Sequence, residues 1–265
     1  MISVQHLSKS FGEVKAVNDV SFDVRPGEIF AFLGPNGAGK TTTIQMLTTL
    51  LKPTSGRMTI DGRDPVTHPL DVRSRFGIVF QDPSVDGELT AYENMDLHGV
   101  LYHVPRRTRA ERIESLLNLF ELWDRRASLV KTFSGGMRRR LEIARGLLHT
   151  PKILFLDEPT LGLDPQSRNQ LWTHVKHLNE TEGVTVFLTT HYMDEAERMA
   201  QRVAIIDHGT VIAQGTPAEL LAQTGADSLE GAFLALTGST IRDERGDGVD
   251  QMRQMARMWQ RGGRR

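Results

Sequence analysis

One glycine-rich stretch ends in a lysine and two threonines, residue types that suit the binding of phosphate. It fits the pattern G-x-x-x-x-G-K-[ST] over eight residues: Gly34, Pro35, Asn36, Gly37, Ala38, Gly39, Lys40 and Thr41. Glycines let consecutive backbone N–H groups turn towards an anion, and a helix that starts after them adds the partial positive charge of its N-terminus. Lys40 can reach β- and γ-phosphate oxygens, the Thr41 hydroxyl can ligate Mg²⁺, and Thr42 can donate to an α-phosphate. The stretch predicts a nucleoside triphosphate site rather than a turn that only caps a helix.

A second segment whose residue types could carry out chemistry is an apolar run, residues 153–156, that ends in two adjacent carboxylates, Asp157 and Glu158. Such a run predicts a buried strand, whose tip lies at the carboxyl edge of the sheet, where open α/β sheets bind ligands. Because successive side chains point in different directions, Asp157 can hold Mg²⁺ through water while Glu158 faces an attacking water. The alternative is an ordinary solvated acidic pair at a strand end. The glycine-rich stretch in the same chain favours the catalytic interpretation.

The elements around these segments alternate between short apolar runs and helical patterns, which predicts βαβ units and a mixed, largely parallel sheet. The first 30 residues indicate a small antiparallel β region, and residues 88–150 change to helices without a clear strand. We therefore expect an α/β nucleotide-binding domain over residues 1–238 with an inserted helical subdomain at about 88–150. Strands are expected at 2–7, 20–24, 28–33, 57–60, 77–80, 153–156, 184–188 and 202–207, and helices after Gly39 and at 92–102, 107–120 and 136–149.

Composition sets limits on the class of protein. Hydrophobic residues make up 39% of the 265 residues and charged residues 25%, which allows a buried core. A net charge of −1 gives no reason to expect a specific nucleic-acid partner. The absence of cysteine excludes disulfide scaffolds and thiolate metal sites. No apolar run approaches the roughly 18 residues of a membrane span and the first residues lack signal-peptide features, so we expect a protein that is soluble by itself.

A second glycine-rich segment, Phe133-Ser134-Gly135-Gly136-Met137, stands ahead of the acidic strand. Here the sequence resembles the ATP-binding cassette (ABC) ATPases, whose signature is Leu-Ser-Gly-Gly-Gln. The Ser134 hydroxyl and the bare backbone N–H groups of the two glycines form a second anion site at a helix start. The resemblance implies that this site meets the γ-phosphate of ATP held by the opposite subunit, so two complete sites need two chains. Met137 replaces the family's Gln and removes one polar contact.

Four further residues match the family in its order along the chain. Gln81 resembles the loop glutamine that senses Mg²⁺ and γ-phosphate, and His191 resembles the switch histidine that contacts γ-phosphate. Asp164 ends a segment that resembles the loop crossing the dimer interface, with Leu161 in place of the usual Ser. Phe11 stands where the family places an aromatic ring that stacks on adenine, and a hydrophobic-core position is the alternative for this Phe. The resemblance thus implies ATP and Mg²⁺, with the metal near Thr41, Gln81 and Asp157.

Residues 133–145, 189–197 and 229–238 look like the daunorubicin-resistance type of exporter ATPase, a bacterial multidrug, antibiotic or lipid-export branch. The resemblance implies a subunit that dimerises with itself or a similar ATPase and drives a separate integral-membrane permease at the cytoplasmic face of the membrane. An importer ATPase, a soluble ABC ATPase acting on ribosomes or DNA, and a cassette that binds ATP without hydrolysing it are the alternatives. The short stretch after Gly238 argues against an importer ATPase, and the single cassette argues against a soluble ABC ATPase. The presence of Glu158 and His191 argues against a cassette that does not hydrolyse ATP.

The last 27 residues, 239–265, fall outside the resemblance, and residues 251–265 combine five arginines with no acid. If helical, Met252, Met255 and Trp259 share one face, which suits a basic amphipathic helix on anionic lipid or on permease loops. A flexible solubilising tether is the alternative, favoured by nearby glycines. The arginines are Arg253, Arg257, Arg261, Arg264 and Arg265.

Overall fold

The computed structural model describes residues 1–238, and the predicted basic tail lies outside the described residues. The described part contains two sheets, and the smaller one is antiparallel with the order β2-β1-β4. The larger sheet has six strands in the order β5-β6-β7-β3-β8-β9, of which only the edge strand β9 runs antiparallel to its neighbour. The strands are β1 (Ile2–Phe11), β2 (Val14–Val24), β3 (Ile29–Leu33), β4 (Ser55–Ile60), β5 (Phe76–Val79), β6 (Ile153–Asp157), β7 (Thr185–Thr190), β8 (Arg202–Asp207) and β9 (Thr210–Gly215).

Nine α-helices and two short 3₁₀ turns connect the strands within residues 1–238. The helices are α1 (Lys40–Leu47), α2 (Pro69–Arg73), α3 (Ala91–Leu101), α4 (Arg106–Leu119), α5 (Gly135–Gly146), α6 (Pro165–Glu182), α7 (Met193–Met199), α8 (Pro217–Thr224) and α9 (Leu229–Thr237), and the 3₁₀ turns are Trp123–Arg125 and Val130–Thr132. The α/β fold and the helical character of the segment from α3 to α5 agree with the sequence analysis. None of these helices is both long and apolar enough to cross a membrane.

The large sheet is buried on both faces, which is why its central strands are continuous apolar runs. Every residue of β3, β6 and β7 is buried. Along β3 the side chains alternate between two cores. Phe30 and Phe32 face the small sheet, where Phe22 of β2 lies with its ring centroid 5.6 and 5.3 Å from theirs. Ala31 and Leu33 face the helices α3 to α6. The sheet is therefore a rigid platform, and the carboxyl ends of its parallel strands lie along one edge.

Local signals fix where the helices begin. Thr90 and Thr216 form capping boxes with Glu93 and Glu219 at the starts of α3 and α8. The helix α6 begins with a capping residue, Asp164, followed by proline, and ends at a glycine with a positive φ of 66°. The elements β9, α2 and α6 to α9 lie outside those predicted from the pattern.

Candidate functional site

The register of the large sheet brings the predicted site residues to one edge. Strands β5, β6, β7 and β3 are parallel neighbours, so the residues that follow their ends lie side by side. The paired positions are Val79 with Leu156, Asp157 with Thr189, and Leu33 with Thr190. Gln81, Glu158, His191 and Gly34 follow these four strand ends at this edge.

The phosphate-binding loop predicted at residues 34–41 links β3 to α1 and folds around its own lysine. Lys40 is only 5% exposed, and its Nζ donates to the carbonyl oxygens of Gly34, at 2.7 Å, and Pro35, at 3.3 Å. Gly39 has a φ of +103°, which disfavours other residues. A Cβ on Gly34 would collide with the carbonyl oxygen of Ile206. The loop backbone thus has the close-packed form that glycine alone allows, and it fits a triphosphate.

A hairpin that the sequence analysis did not connect with the site supports this loop from behind. The turn between β8 and β9 includes Gly209, whose N–H donates to the carbonyl oxygen of Ala38 at 3.1 Å. The carbonyl oxygen of Gly209 in turn accepts from the N–H of Asn18 in β2, at 2.8 Å. His208 and Gly209 both have positive φ, as hairpin turns require. This dipeptide between two apolar runs is the feature of the sequence that could have predicted the hairpin.

A set of oxygen donors that suits Mg²⁺ lies beside the loop. The Thr41 hydroxyl is 3.4 Å from Oδ1 of Asp157, and the same oxygen accepts a hydrogen bond from the Thr189 hydroxyl at 2.5 Å. Burial, followed by the charge of Glu158, raises the pKa of Asp157, although the Thr189 bond and the charge of Lys40 act in the opposite sense. Within residues 1–238 no three His, Cys, Asp or Glu side chains cluster as a metal site. Mg²⁺ often binds through one carboxylate plus substrate phosphates, which this set fits.

The buried Glu158 contacts both the lysine and the histidine. Its Oε1 is 3.1 Å from Nζ of Lys40, and its Oε2 is 2.8 Å from Nδ1 of His191. Burial alone would raise the pKa of Glu158, but the hydrogen bond from His191 and the charge of Lys40 outweigh it and lower the pKa. The backbone N–H of Glu158 donates to both the carbonyl and the hydroxyl oxygen of Thr189. The result is an ionised carboxylate with a fixed orientation.

The segment with Ser134 lies against a different part of the chain. Ser134 is exposed and caps α5, and Gly136 packs so closely on α6 that a Cβ there would lie 2.5 Å from the Ser167 hydroxyl. Gly135 has Leu163 as its neighbour. Asp164 caps α6 by accepting from the N–H of Ser167 at 2.9 Å. The two segments predicted to face a second subunit therefore touch each other within one chain.

A model of the protein family described as ABC transporter matches residues 17–161. This chain belongs to the ABC transporter family. It is 41% identical over 256 residues to the daunorubicin resistance ATP-binding protein DrrA3 of Streptomyces coeruleorubidus, which covers 92% of this chain and 81% of that protein. It is 40% identical over 243 residues to the linearmycin resistance ATP-binding protein LnrL of Bacillus subtilis, covering 92% and 76%.

Solved structures of ABC proteins share this fold. An ATP binding subunit of an ABC transporter superposes with a TM-score of 0.81 at 32% identity, covering 89% of this chain and 99% of that one. A dimeric ATP-binding cassette in a post-hydrolysis state, bound to ADP and phosphate, superposes with a TM-score of 0.73 at 29% identity, covering 82% and 98%. The resemblance to daunorubicin-resistance ATPases is confirmed, and the chain is an ATP-binding and ATP-hydrolysing subunit.

The structure explains two of three positions in this ABC ATPase that depart from the family pattern or had two interpretations. Phe11 is 48% exposed, with Nζ of Lys9 5.1 Å from its ring centroid, so the core alternative is wrong and its ring is available for stacking. Met137 is partly buried and packs against the helical core, which explains an apolar residue in place of Gln. Leu161 is half-buried, and nothing in the structure explains why it replaces the family's Ser.

Proposed function

We propose that this subunit powers the export of a drug, an antibiotic or a lipid-like compound through a separate integral-membrane permease, at the cytoplasmic face of a bacterial membrane. The observation that carries the ATPase part is the buried chain Lys40–Glu158–His191 beside the phosphate-binding loop. The export part rests on relatives that are named for resistance to daunorubicin and to linearmycin. Nothing in the site favours a specific nucleic acid.

In the proposed mechanism the residues from Gly34 to Thr42 bind the triphosphate, and the ring of Phe11 stacks on adenine. Thr41, Gln81 and Asp157 would hold Mg²⁺, which neutralises phosphate charge when it is bound. Glu158 polarises a water for in-line attack on the γ-phosphate. Nδ1 of His191 forms a hydrogen bond with Glu158, so Nε2 is the ring nitrogen that remains for a contact with phosphate.

The second half of each ATP site comes from a second copy or a similar subunit. Ser134 and Gly135 are exposed, and the first residues of α5 present backbone N–H groups to an anion. Two subunits then close on two ATP molecules, each held between one subunit's phosphate loop and the other's signature segment, with Asp164 at the interface. Hydrolysis removes the shared phosphate contact, so the dimer opens.

The permease is proposed to contact the surface formed by the exposed side of α3 and the loop that carries Gln81. On this helix Leu97, Val100 and Leu101 are 52, 48 and 67% exposed and lie at i, i+3 and i+4, so they form one apolar stripe. Contiguous apolar side chains on a soluble surface mark contact sites for partners. Gln81 is exposed at the end of β5, ten residues before α3 begins.

Replacing Glu158 by Gln tests the chemistry. The amide cannot accept a proton, so we expect ATP hydrolysis to fall by about 100-fold or more while ATP binding is retained. Steady-state ATPase assays at saturating Mg·ATP, with binding measured by a fluorescent ATP analogue, provide the comparison. Glu180→Gln, an exposed acid that pairs with Lys176, is the control and should hydrolyse normally. Near-normal turnover by the Glu158 variant would remove this residue from the base role.

The neighbourhood of the gene tests the export part separately. A permease gene beside this one, without a gene for a periplasmic binding protein, supports an exporter. A periplasmic binding protein encoded there favours the importer alternative.

A further inference from the structure

The loop that carries Gln81 is held by charged side chains of α5, the helix that begins at the signature segment. Arg139 donates to the carbonyl oxygens of Phe80, at 2.5 Å, and Gln81, at 2.9 Å. Glu142 accepts from the backbone N–H of Ser84 at 2.5 Å and from its hydroxyl at 3.2 Å. The first half of the loop, at Phe80, Gln81 and Ser84, is thus fixed to one helix. One turn further along α5, Arg145 donates to the carbonyl and hydroxyl oxygens of the same Ser84, at 2.7 and 2.5 Å.

Arg139 and Glu142 also pair with each other at 3.1 Å, and both are buried, with 6% and 1% of their surface exposed. Burial lowers the pKa of Arg139, and the negative charges of Glu142 and Asp157 oppose that effect. A buried ion pair contributes little net stability, and well-packed apolar residues often replace one without loss. The contacts of this pair with loop main-chain groups point to a role in fixing the loop rather than in stabilising the core.

The backbone of α5 also lies directly on the strand that leads to Gln81. Gly77 of β5 faces Gly146 at the end of α5, and a Cβ on Gly77 would collide with the carbonyl oxygen of Gly146. Close contact at one end of the helix and polar contacts in its middle restrict sliding between α5 and β5. The first turn of α5 carries Gly135 and Gly136.

We propose that Arg139 and Glu142 are positioning residues that transmit the position of Gln81 at one ATP site to the signature residues 134–136, which this subunit presents to the other site. This inference rests on the proposed two-subunit arrangement. Its consequence is a coupling between the two ATP sites, since the loop that senses one nucleotide is rigidly attached to the segment that closes on the second.

The test replaces the buried pair by apolar residues of similar size, Arg139→Met with Glu142→Leu. The matched control is Arg140→Met with Glu121→Leu, which removes an ion pair of 3.1 Å between α5 and an exposed glutamate without touching the loop. We measure kcat, equilibrium affinity for a fluorescent ATP analogue, and ATP-dependent dimerisation in the Glu158→Gln background. For the buried-pair variant we expect ATP affinity within about twofold of the parent, and kcat and dimerisation each reduced about tenfold, the size typical of a lost coupling.

Epistasis with Gln81 separates transmission from a general structural effect. In a Gln81→Ala background the buried-pair substitution should lower kcat no further, because the signal it carries is already absent. A further loss there contradicts the proposal. So does a buried-pair variant whose kcat matches that of the control pair, or one whose ATP affinity falls as much as its kcat.

Two safeguards keep the outcome interpretable. If the buried-pair variant unfolds, Arg139→Lys replaces it, because lysine keeps the charge beside Glu142 but lacks the forked guanidinium that bonds both loop carbonyls; unchanged kcat in that variant contradicts the proposal, and reduced kcat at unchanged affinity supports it. If ATP does not dimerise the Glu158→Gln parent, the two-subunit arrangement itself fails. If the parent dimerises and the buried-pair variant dimerises equally well, only the transmission role fails.

Discussion

Lys40 and Glu158 are each only 5% exposed, and Nζ of the lysine is 3.1 Å from Oε1 of the glutamate. Each buried charge is therefore compensated by the other. Such a pair adds little stability as a whole, because taking two charges out of water offsets their attraction. Removal of one partner is different, since the remaining charge stays buried without compensation. The lysine that is proposed to bind phosphate therefore also supports the fold.

Lys40→Ala should lose ATP binding and also lower the free energy of unfolding by about 3 kcal/mol, the usual cost of a broken buried pair. Lys176→Ala, which breaks an exposed pair with Glu180, should change stability by less than about 0.5 kcal/mol. Urea denaturation of both variants at pH 7 measures the difference. Equal stability of the two would mean that Glu158 finds other compensation, for example from His191.

The motif residues could be predicted from the sequence because the residues of each motif lie in one loop or at one strand end, at a fixed spacing that the sequence shows directly. The Lys40–Glu158 contact could not, since the two residues are far apart in sequence and no spacing rule joins them. Thr189 was missed for another reason. It stands inside an apolar strand, and only the register with Asp157 shows that its hydroxyl holds that carboxylate.

At the scale of elements, α3, α5 and β5 meet around two half-buried histidines, His98 and His149. The ring of Tyr102, just after α3, stacks on His149 at 3.9 Å, and Nε2 of His149 hydrogen-bonds to the carbonyl oxygen of Phe76 at 3.0 Å. Burial, reinforced by the charge of Arg145, lowers the pKa of His98 to about 3. Burial lowers the pKa of His149 to about 4, against the opposing effect of the Phe76 bond.

Both histidines should make this interface sensitive to acid. In the unfolded chain their pKa is about 6.5, so the unfolded state takes up protons first as pH falls. The neutral histidines thus contribute stability that is fully present above pH 6.5 and is lost as pH falls towards 4 and 3, with a slope of up to about 1.4 kcal/mol per pH unit for each. Urea denaturation at pH 7.5 and pH 5 should show a smaller loss for His98→Leu than for the parent.

Replacement of the exposed His177 by Leu provides the control and should leave the pH dependence of the parent unchanged. If His98→Leu loses as much stability between pH 7.5 and pH 5 as the parent does, His98 is not responsible for the acid sensitivity.

Elements with a strong pattern were predicted to within a few residues, as α3, α4 and α5 show. The edge strand β9 was not, because it is only half-buried and its apolar alternation is weak. For α6 the difficulty lies in Asp164, which matches both a helix N-cap and the family's dimer loop. The structure shows the capping contact, and its role at a dimer interface stays a proposal.

At the scale of the whole molecule, Ser134 and Gly135 of the signature segment are exposed, and in the proposed arrangement they act only on ATP that a second subunit holds. Glu158→Gln with bound ATP should shift the subunit from monomer towards dimer, and adding Ser134→Arg should reverse this, because the larger side chain blocks the partner's γ-phosphate. Light scattering with and without ATP gives the comparison. Dimerisation that survives Ser134→Arg would contradict the shared site.

Ser228→Arg is the matched control for that experiment. Ser228 is another exposed serine that caps a helix, accepting from the N–H of Gly231 at 3.1 Å. Both variants lose a cap, which costs about 1 kcal/mol, so only a difference between them reports on the interface.

The basic tail belongs to this scale as well, although it lies outside the described residues. Truncation after Gly238 removes nothing that the proposed site uses, so ATPase activity should be unchanged. Flotation with anionic liposomes at low and high salt tests membrane contact. Salt-sensitive binding that disappears with the tail supports the amphipathic-helix prediction, and equal behaviour of the two proteins supports the tether.

Nζ of Lys40 donates hydrogen bonds to two loop carbonyls and forms an ion pair with Oε1 of Glu158, an oxygen that has no hydrogen-bond partner of its own within residues 1–238. A phosphate that reaches this lysine competes with Glu158 for its positive charge. The order of events follows from this exchange. In the proposed mechanism, water that arrives before the nucleotide meets a carboxylate whose charge Lys40 neutralises, whereas the arrival of phosphate frees that carboxylate when there is a bond to hydrolyse.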